Sequence, residues 1–289
     1  MRMITLADRE VPVLGQGAWK MGDSRSGWDD EVVALRTGID HGMTLVDTAE
    51  MYGSGRSEQL VGEAIRGRRD EVFLVSKVMP SNASRKGTIR ACEASLRRLG
   101  TERLDLYLLH WPGSYPLEET FGAFDELRRQ GKIGAWGVSN FDRPLMVRAS
   151  SVARRQRAED PASQDRPATN QVLFNLRRRW PEAGLLDDLR GAGVPLMAYS
   201  PIDQGALAEG GPRAAALRAV AERHGATAAQ VALAWVVSVP GVFAIPKAST
   251  EQHVRENAAA ADIVLSAQDL ADLDAAFPPP EHDAPLELI

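Results

Sequence analysis

Four polar residues close apolar runs, or lie just beyond one, in a pattern that suits a shared reaction site. Asp47 follows Leu45 and Val46, Lys77 ends the run that begins at Val72, and His110 follows the run 106–109. Tyr52 lies five residues after Asp47, in the loop 48–55. Each of these side chains can hold or move a proton, so together they suit general acid–base chemistry. Taken singly, an Asp or Lys at a strand end is more often a solvated cap or a surface ion pair, and a lone His is more often structural. The joint pattern argues otherwise, because three successive strand ends and one adjoining loop carry an Asp, a Lys, a His and a Tyr on the same side. A further strand end carries Ser139 and Asn140 after Val138.

Strand ends that coincide require parallel strands, and the sequence supplies them. Short runs of aliphatic and β-branched residues over 13–17, 44–47, 72–77, 104–110, 133–139, 169–172, 194–200 and 242–246 read as eight strands. Amphipathic segments lie between most of them. One has Val32, Leu35 and Ile39 on a single face; another has Ile89, Cys92, Leu96 and Leu99, stopping at Gly100. Thr227 and Gln230 form a capping-box pattern before Val231. At 289 residues this alternation predicts an α/β fold, a (β/α)8 TIM barrel forming one domain over 1–289. In that fold reacting groups gather at the C-terminal strand ends. Residues 3–12 could form a hairpin sealing the bottom of the barrel, and the segments 154–167 and 277–289 read as surface loops.

Bulk properties exclude several alternatives. A net charge of −5 argues against a sequence-independent nucleic-acid surface. No apolar run approaches membrane-spanning length, and the N-terminal residues carry no signal-peptide pattern, so no membrane contact is expected. The single cysteine, Cys92, has no partner for a disulfide, which makes the cytoplasm the expected compartment. His41, His224 and His282 have no neighbours at metal-ligand spacing, so no metal is expected.

The segment Val46-Asp47-Thr48-Ala49-Glu50-Met51-Tyr52-Gly53, the strand end at Lys77 and Leu108-Leu109-His110-Trp111-Pro112 resemble signatures of the aldo-keto reductase superfamily. Gly137-Val138-Ser139-Asn140-Phe141, Asn170-Gln171, Tyr199-Ser200-Pro201 and Ile245-Pro246-Lys247-Ala248-Ser249 continue the resemblance in order, over about residues 15–257. The resemblance implies reduction of the carbonyl of a small aldehyde or ketone, as in the bacterial methylglyoxal-type branch. It makes Tyr52 the general acid, with Lys77 lowering its pKa, Asp47 holding the ammonium in place and His110 orienting the substrate oxygen. A non-catalytic NADPH-binding sensor or regulatory subunit on the same barrel is the competing reading, and the presence of all four residue types favours catalysis.

The same resemblance assigns the cofactor contacts. Ser139, Asn140 and Gln171 would hold a nicotinamide carboxamide, Tyr199 would stack on the ring, and Ser200, Pro201 and Ile202 would continue that wall. Lys247, Ser249, His253, Glu256 and Asn257 would meet the adenosine phosphate and adenine. His253 stands where many members have arginine, and an imidazole cannot make the bidentate guanidinium contact. NADPH is therefore the expected cofactor, with NADH use left open. Neither Gly15-Gln16-Gly17 nor Gly53-Ser54-Gly55 extends to a dinucleotide-binding G-x-G-x-x-G. Trp19 and Trp111 would be aromatic walls of a small substrate pocket, and a monomer is expected. The run Arg177-Arg178-Arg179 reads as a solvated loop face with no assigned role.

Overall fold

The computed structural model describes residues 1–24, 26–208, 211–281 and 284–289; His282 lies outside the described residues. The chain opens with an antiparallel hairpin, β1 (Met3–Leu6) and β2 (Arg9–Pro12). Its turn residues Ala7 and Asp8 both have positive φ, as tight hairpin turns require. Arg9 pairs with Asp105 at the start of the strand Leu104–Leu109, so the hairpin covers the N-terminal end of the sheet as expected.

Eight parallel strands follow: β3 (Gln16–Gly17), β4 (Leu45–Asp47), β5 (Phe73–Val78), β6 (Leu104–Leu109), β7 (Ile133–Ser139), β8 (Asn170–Leu173), β9 (Leu196–Tyr199) and β10 (Val242–Ala244). Each pairs with the next in chain order. The ring closes where Leu14 bridges Ala244 in parallel and where Gly17 N donates to Pro246 O at 3.0 Å. A Cβ on Gly17 would sit 2.7 Å from Ile245 O, so this seam closes only with glycine there. The architecture is the (β/α)8 TIM barrel that the alternation predicts.

The outer layer comprises α1 (Trp28–Asp40), α2 (Arg56–Ala64), α3 (Arg85–Leu99), α4 (Leu117–Arg129), α5 (Arg143–Glu159), α6 (Leu185–Gly191), α7 (Pro212–Arg223), α8 (Ala228–Ser238), α9 (Glu251–Ala259) and α10 (Ala267–Ala276). The stripe Val32, Leu35 and Ile39 is buried, α3 ends at Gly100 with φ 63°, and Thr227 and Gln230 form their reciprocal cap. Cys92 is buried against the barrel, which pushes its thiol up to about 12 and leaves it a packing residue.

One expectation is corrected. Residues 154–159 are not loop but the last turns of α5. That helix buries Met146, Ala149, Val152 and Ala153 and meets no Gly or Pro between Pro144 in its first turn and Pro161. Its polar end therefore continues as a solvated helical face until Asp160 leaves the helical region.

Candidate active site

Asp47 ends β4, Lys77 lies one residue before the end of β5, and His110 directly follows β6. Asp47 pairs with Val75 and Lys77 with Leu108, so each residue stands two positions beyond the partner of the one before, and the tilt of the barrel strands brings the three together at the C-terminal mouth. Tyr52 reaches the same point from the loop after β4, where Gly53, Ser54 and Gly55 all have positive φ and turn the chain sharply. Glu50 fastens that loop, its Oε1 accepting from Met79 N at 2.7 Å and from Asn82 Nδ2 at 3.0 Å.

Lys77 is fully buried, and its Nζ donates to Asp47 Oδ2 at 2.7 Å, Thr48 O at 2.9 Å and Tyr52 Oη at 3.0 Å. An ammonium has three protons, so all are committed. The Tyr52 oxygen accepts from Lys77, which leaves its own proton free for the cavity. Asp47 Oδ1 accepts from Gln171 Nε2 at 2.8 Å, so both carboxylate oxygens are held.

Burial raises the Tyr52 pKa above the ordinary tyrosine value; Lys77 acts on it in the expected direction, but burial outweighs it. Burial alone would lower Lys77, but Asp47 and Tyr52 carry it above its usual value, so the amine stays charged. Burial also raises Asp47, against the pull of Lys77. Burial and the Lys77 charge push His110 down to about 2, so its imidazole is neutral. Its Nδ1 is buried with no hydrogen-bond partner among the described residues, and the ring packs edge-on to Tyr52 at 5.6 Å and against Trp111 at 4.8 Å.

These residues open into a cavity of about 590 Å³. One wall carries Ser139, Asn140, Gln171 and Tyr199; Ser200, Pro201, Ile202 and Lys247 extend it, and Trp19 and Trp111 also line the cavity. Asn140 has φ 60°, a conformation asparagine tolerates better than most residues. That turn lets its Oδ1 accept from Tyr199 Oη at 3.1 Å while its Nδ2 donates to His110 O at 3.1 Å. Ser139 Oγ donates to Gln171 O at 2.8 Å.

Ser249, His253, Glu256 and Asn257 do not line this cavity. Ser249 precedes Thr250, the N-cap of α9, whose hydroxyl accepts from His253 N. The His253 side chain is exposed, Glu256 is half-buried and Asn257 is buried. Lys20, Met51, Gln204, Gly205, Leu288 and Ile289 line the cavity without having been expected to. Lys20 and Met51 adjoin expected residues, whereas nothing local marks the last two residues as part of a site.

A closed parallel barrel with an ion pair, a tyrosine and a neutral imidazole at its C-terminal mouth defines a barrel enzyme with an acid–base site. Residues 13–277 match the model of the Aldo/keto reductase family. Among curated relatives, methylglyoxal reductase YeaE of Escherichia coli is 48% identical over 98% of this chain and 96% of its own length. Glyoxal reductase of Bacillus subtilis is 34% identical over 92% of this chain and 89% of its own. Among solved structures, an aldo/keto reductase from Klebsiella pneumoniae in complex with NADP and acetate is 45% identical over 99% of both chains, with a TM-score of 0.93. The chain belongs to the aldo/keto reductase family.

Proposed function

We propose that this chain reduces small 2-oxoaldehydes with NADPH, Tyr52 supplying the proton. The observation that carries the reading is the Lys77 ammonium, which spends all three donors on Asp47, Thr48 and Tyr52 and leaves the phenolic proton available. Burial keeps that proton on Tyr52 at rest. As negative charge develops on the carbonyl oxygen, Tyr52 gives the proton up, and Lys77 at 3.0 Å stabilises the phenolate that forms. Asp47 keeps the ammonium charged. Neutral His110 can donate a hydrogen bond to the same oxygen without competing as an acid.

The wall that adjoins these residues suits a nicotinamide dinucleotide. Ser139, Asn140 and Gln171 place hydroxyl and amide groups beside the Tyr199 ring, as a planar carboxamide-bearing ring needs. When bound, the nicotinamide supplies the hydride. Lys247, Ser249 and the first-turn amides of α9 suit a phosphate, with Glu256 and Asn257 beyond them for the adenine. Lys247 and Ser249 favour NADPH, whereas His253, at the start of that helix, offers no permanent charge, so NADH is also used. The substrate class is supported by the two relatives named for methylglyoxal and glyoxal.

Oxidation of NADPH and NADH should be followed across methylglyoxal, glyoxal, simple ketones and aldoses. Turnover highest on the 2-oxoaldehydes, and better with NADPH, is the expected result. Cofactor binding with no turnover on any carbonyl would instead favour a sensor.

A further inference from the structure

The run Arg177-Arg178-Arg179 is only in part the solvated face that its composition suggests: Arg177 is exposed, Arg178 half-buried and Arg179 buried. It follows β8 in a turn held by Asn175, whose Oδ1 accepts from the backbone N–H of Arg177 at 2.9 Å and of Arg178 at 3.0 Å. Asn175 Nδ2 donates to Ser200 O at 2.9 Å, which ties the turn to the residue after Tyr199. From this base the three guanidinium groups reach four acids, Arg179 also meeting its neighbour Glu182 at 2.8 Å. Arg177 meets Asp203 at 3.1 Å, at the head of the turn that brings Gln204 and Gly205 to the cavity. Arg178 meets Glu287 at 2.5 Å, directly before Leu288 and Ile289. Arg179 meets Asp274 at 2.7 Å and donates to Phe277 O at 2.5 Å, where α10 ends and the tail begins.

Residues 284–289 contain no helix or strand, yet Leu288 and Ile289 line the same cavity as Trp19 and Met51. Both residues are more than half exposed, so packing alone holds them weakly. We propose that Arg178 is a specificity-determining positioning residue: its ion pair with Glu287 holds Leu288 and Ile289 in place as the apolar wall that receives the substrate's substituent. The proposal rests on the reading of the cavity as a 2-oxoaldehyde site, and it extends that class to 2-oxoaldehydes with an apolar alkyl or aryl group. Methylglyoxal, with one methyl, gains little from this wall; phenylglyoxal would lie against it. A partly exposed ion pair shifts such a position by a modest factor, about five-fold at most.

The test compares Arg178→Ala, Glu287→Ala, the double variant and the charge exchange Arg178→Glu with Glu287→Arg. Either single substitution is expected to raise KM for phenylglyoxal roughly five-fold. KM for methylglyoxal, kcat at saturation and NADPH affinity should stay within about two-fold. The double variant should be no worse than either single one, and the exchange should restore the ratio. Arg177→Ala, which breaks the pair with Asp203 instead, serves as the contrast and should leave the ratio of the two KM values unchanged. Equal KM changes for both aldehydes, additive single effects or no recovery on exchange would overturn the role of Arg178. Hydrogen exchange over 284–289 needs no substrate and separates the two readings. If the native protein reduces neither aldehyde, the substrate reading fails, while faster exchange in Arg178→Ala, reversed by the charge exchange, still supports the tie; unchanged exchange overturns it.

Discussion

The Lys77 ammonium lies 3.0 Å from the Tyr52 hydroxyl oxygen and donates to it. The direction of that bond matters more than its length. A tyrosine that accepts from a lysine with no donor left over keeps its own proton for another acceptor, and Tyr52 faces the cavity that His110 and Trp111 also line.

The Asp47–Lys77 pair is fully buried, so removing one partner strands the other charge. Lys77→Met should lower the unfolding free energy by about 3–5 kcal/mol, while Lys77→Met combined with Asp47→Leu should recover most of the loss. Urea unfolding at neutral pH measures both. Reduction should be lost in both variants, since the double variant restores stability and not the ammonium. A single variant as stable as the native protein would mean that the pair is not held as described.

His110 contributes a pH dependence with a definite sign. Its folded pKa, about 2, lies below the unfolded value near 6.5, so as pH falls through 6.5 the unfolded chain takes up a proton that the folded one refuses. Stability from this group is therefore present above pH 6.5 and declines towards pH 2 by up to about 1.4 kcal/mol per pH unit. His110→Gln should lose less stability than the native protein between pH 6.5 and 5, by about 2 kcal/mol, in paired denaturant titrations. Parallel losses would mean that the imidazole is protonated in the folded state.

Cofactor choice should respond to the start of α9. His253→Arg adds a permanent charge on an exposed first-turn position and should raise the NADPH-to-NADH ratio of specificity constants roughly ten-fold. An unchanged ratio would place the phosphate elsewhere.

The barrel and the four acid–base residues are legible in the sequence because each strand is a short apolar run and each polar residue closes a run or follows it in the adjoining loop. Local patterns reach that far and stop where partners are distant in the chain. The helical end of α5 looks like loop because its last turns bury nothing. Arg178 looks solvated because Glu287 lies 109 residues away, and Leu288 and Ile289 carry no mark of the cavity they line. The direction of the Tyr52 shift was equally hidden, since the charge of Lys77 can be read from residue type but the burial that outweighs it cannot.

If Tyr52 supplies the proton, Tyr52→Phe should abolish most reduction in a single turnover of NADPH with methylglyoxal. Binding of NADPH should stay within about two-fold, while the rate of cofactor oxidation should fall by at least a hundred-fold, on the order expected when a general acid is removed. A variant that oxidises NADPH at close to the native rate would mean that another group supplies the proton.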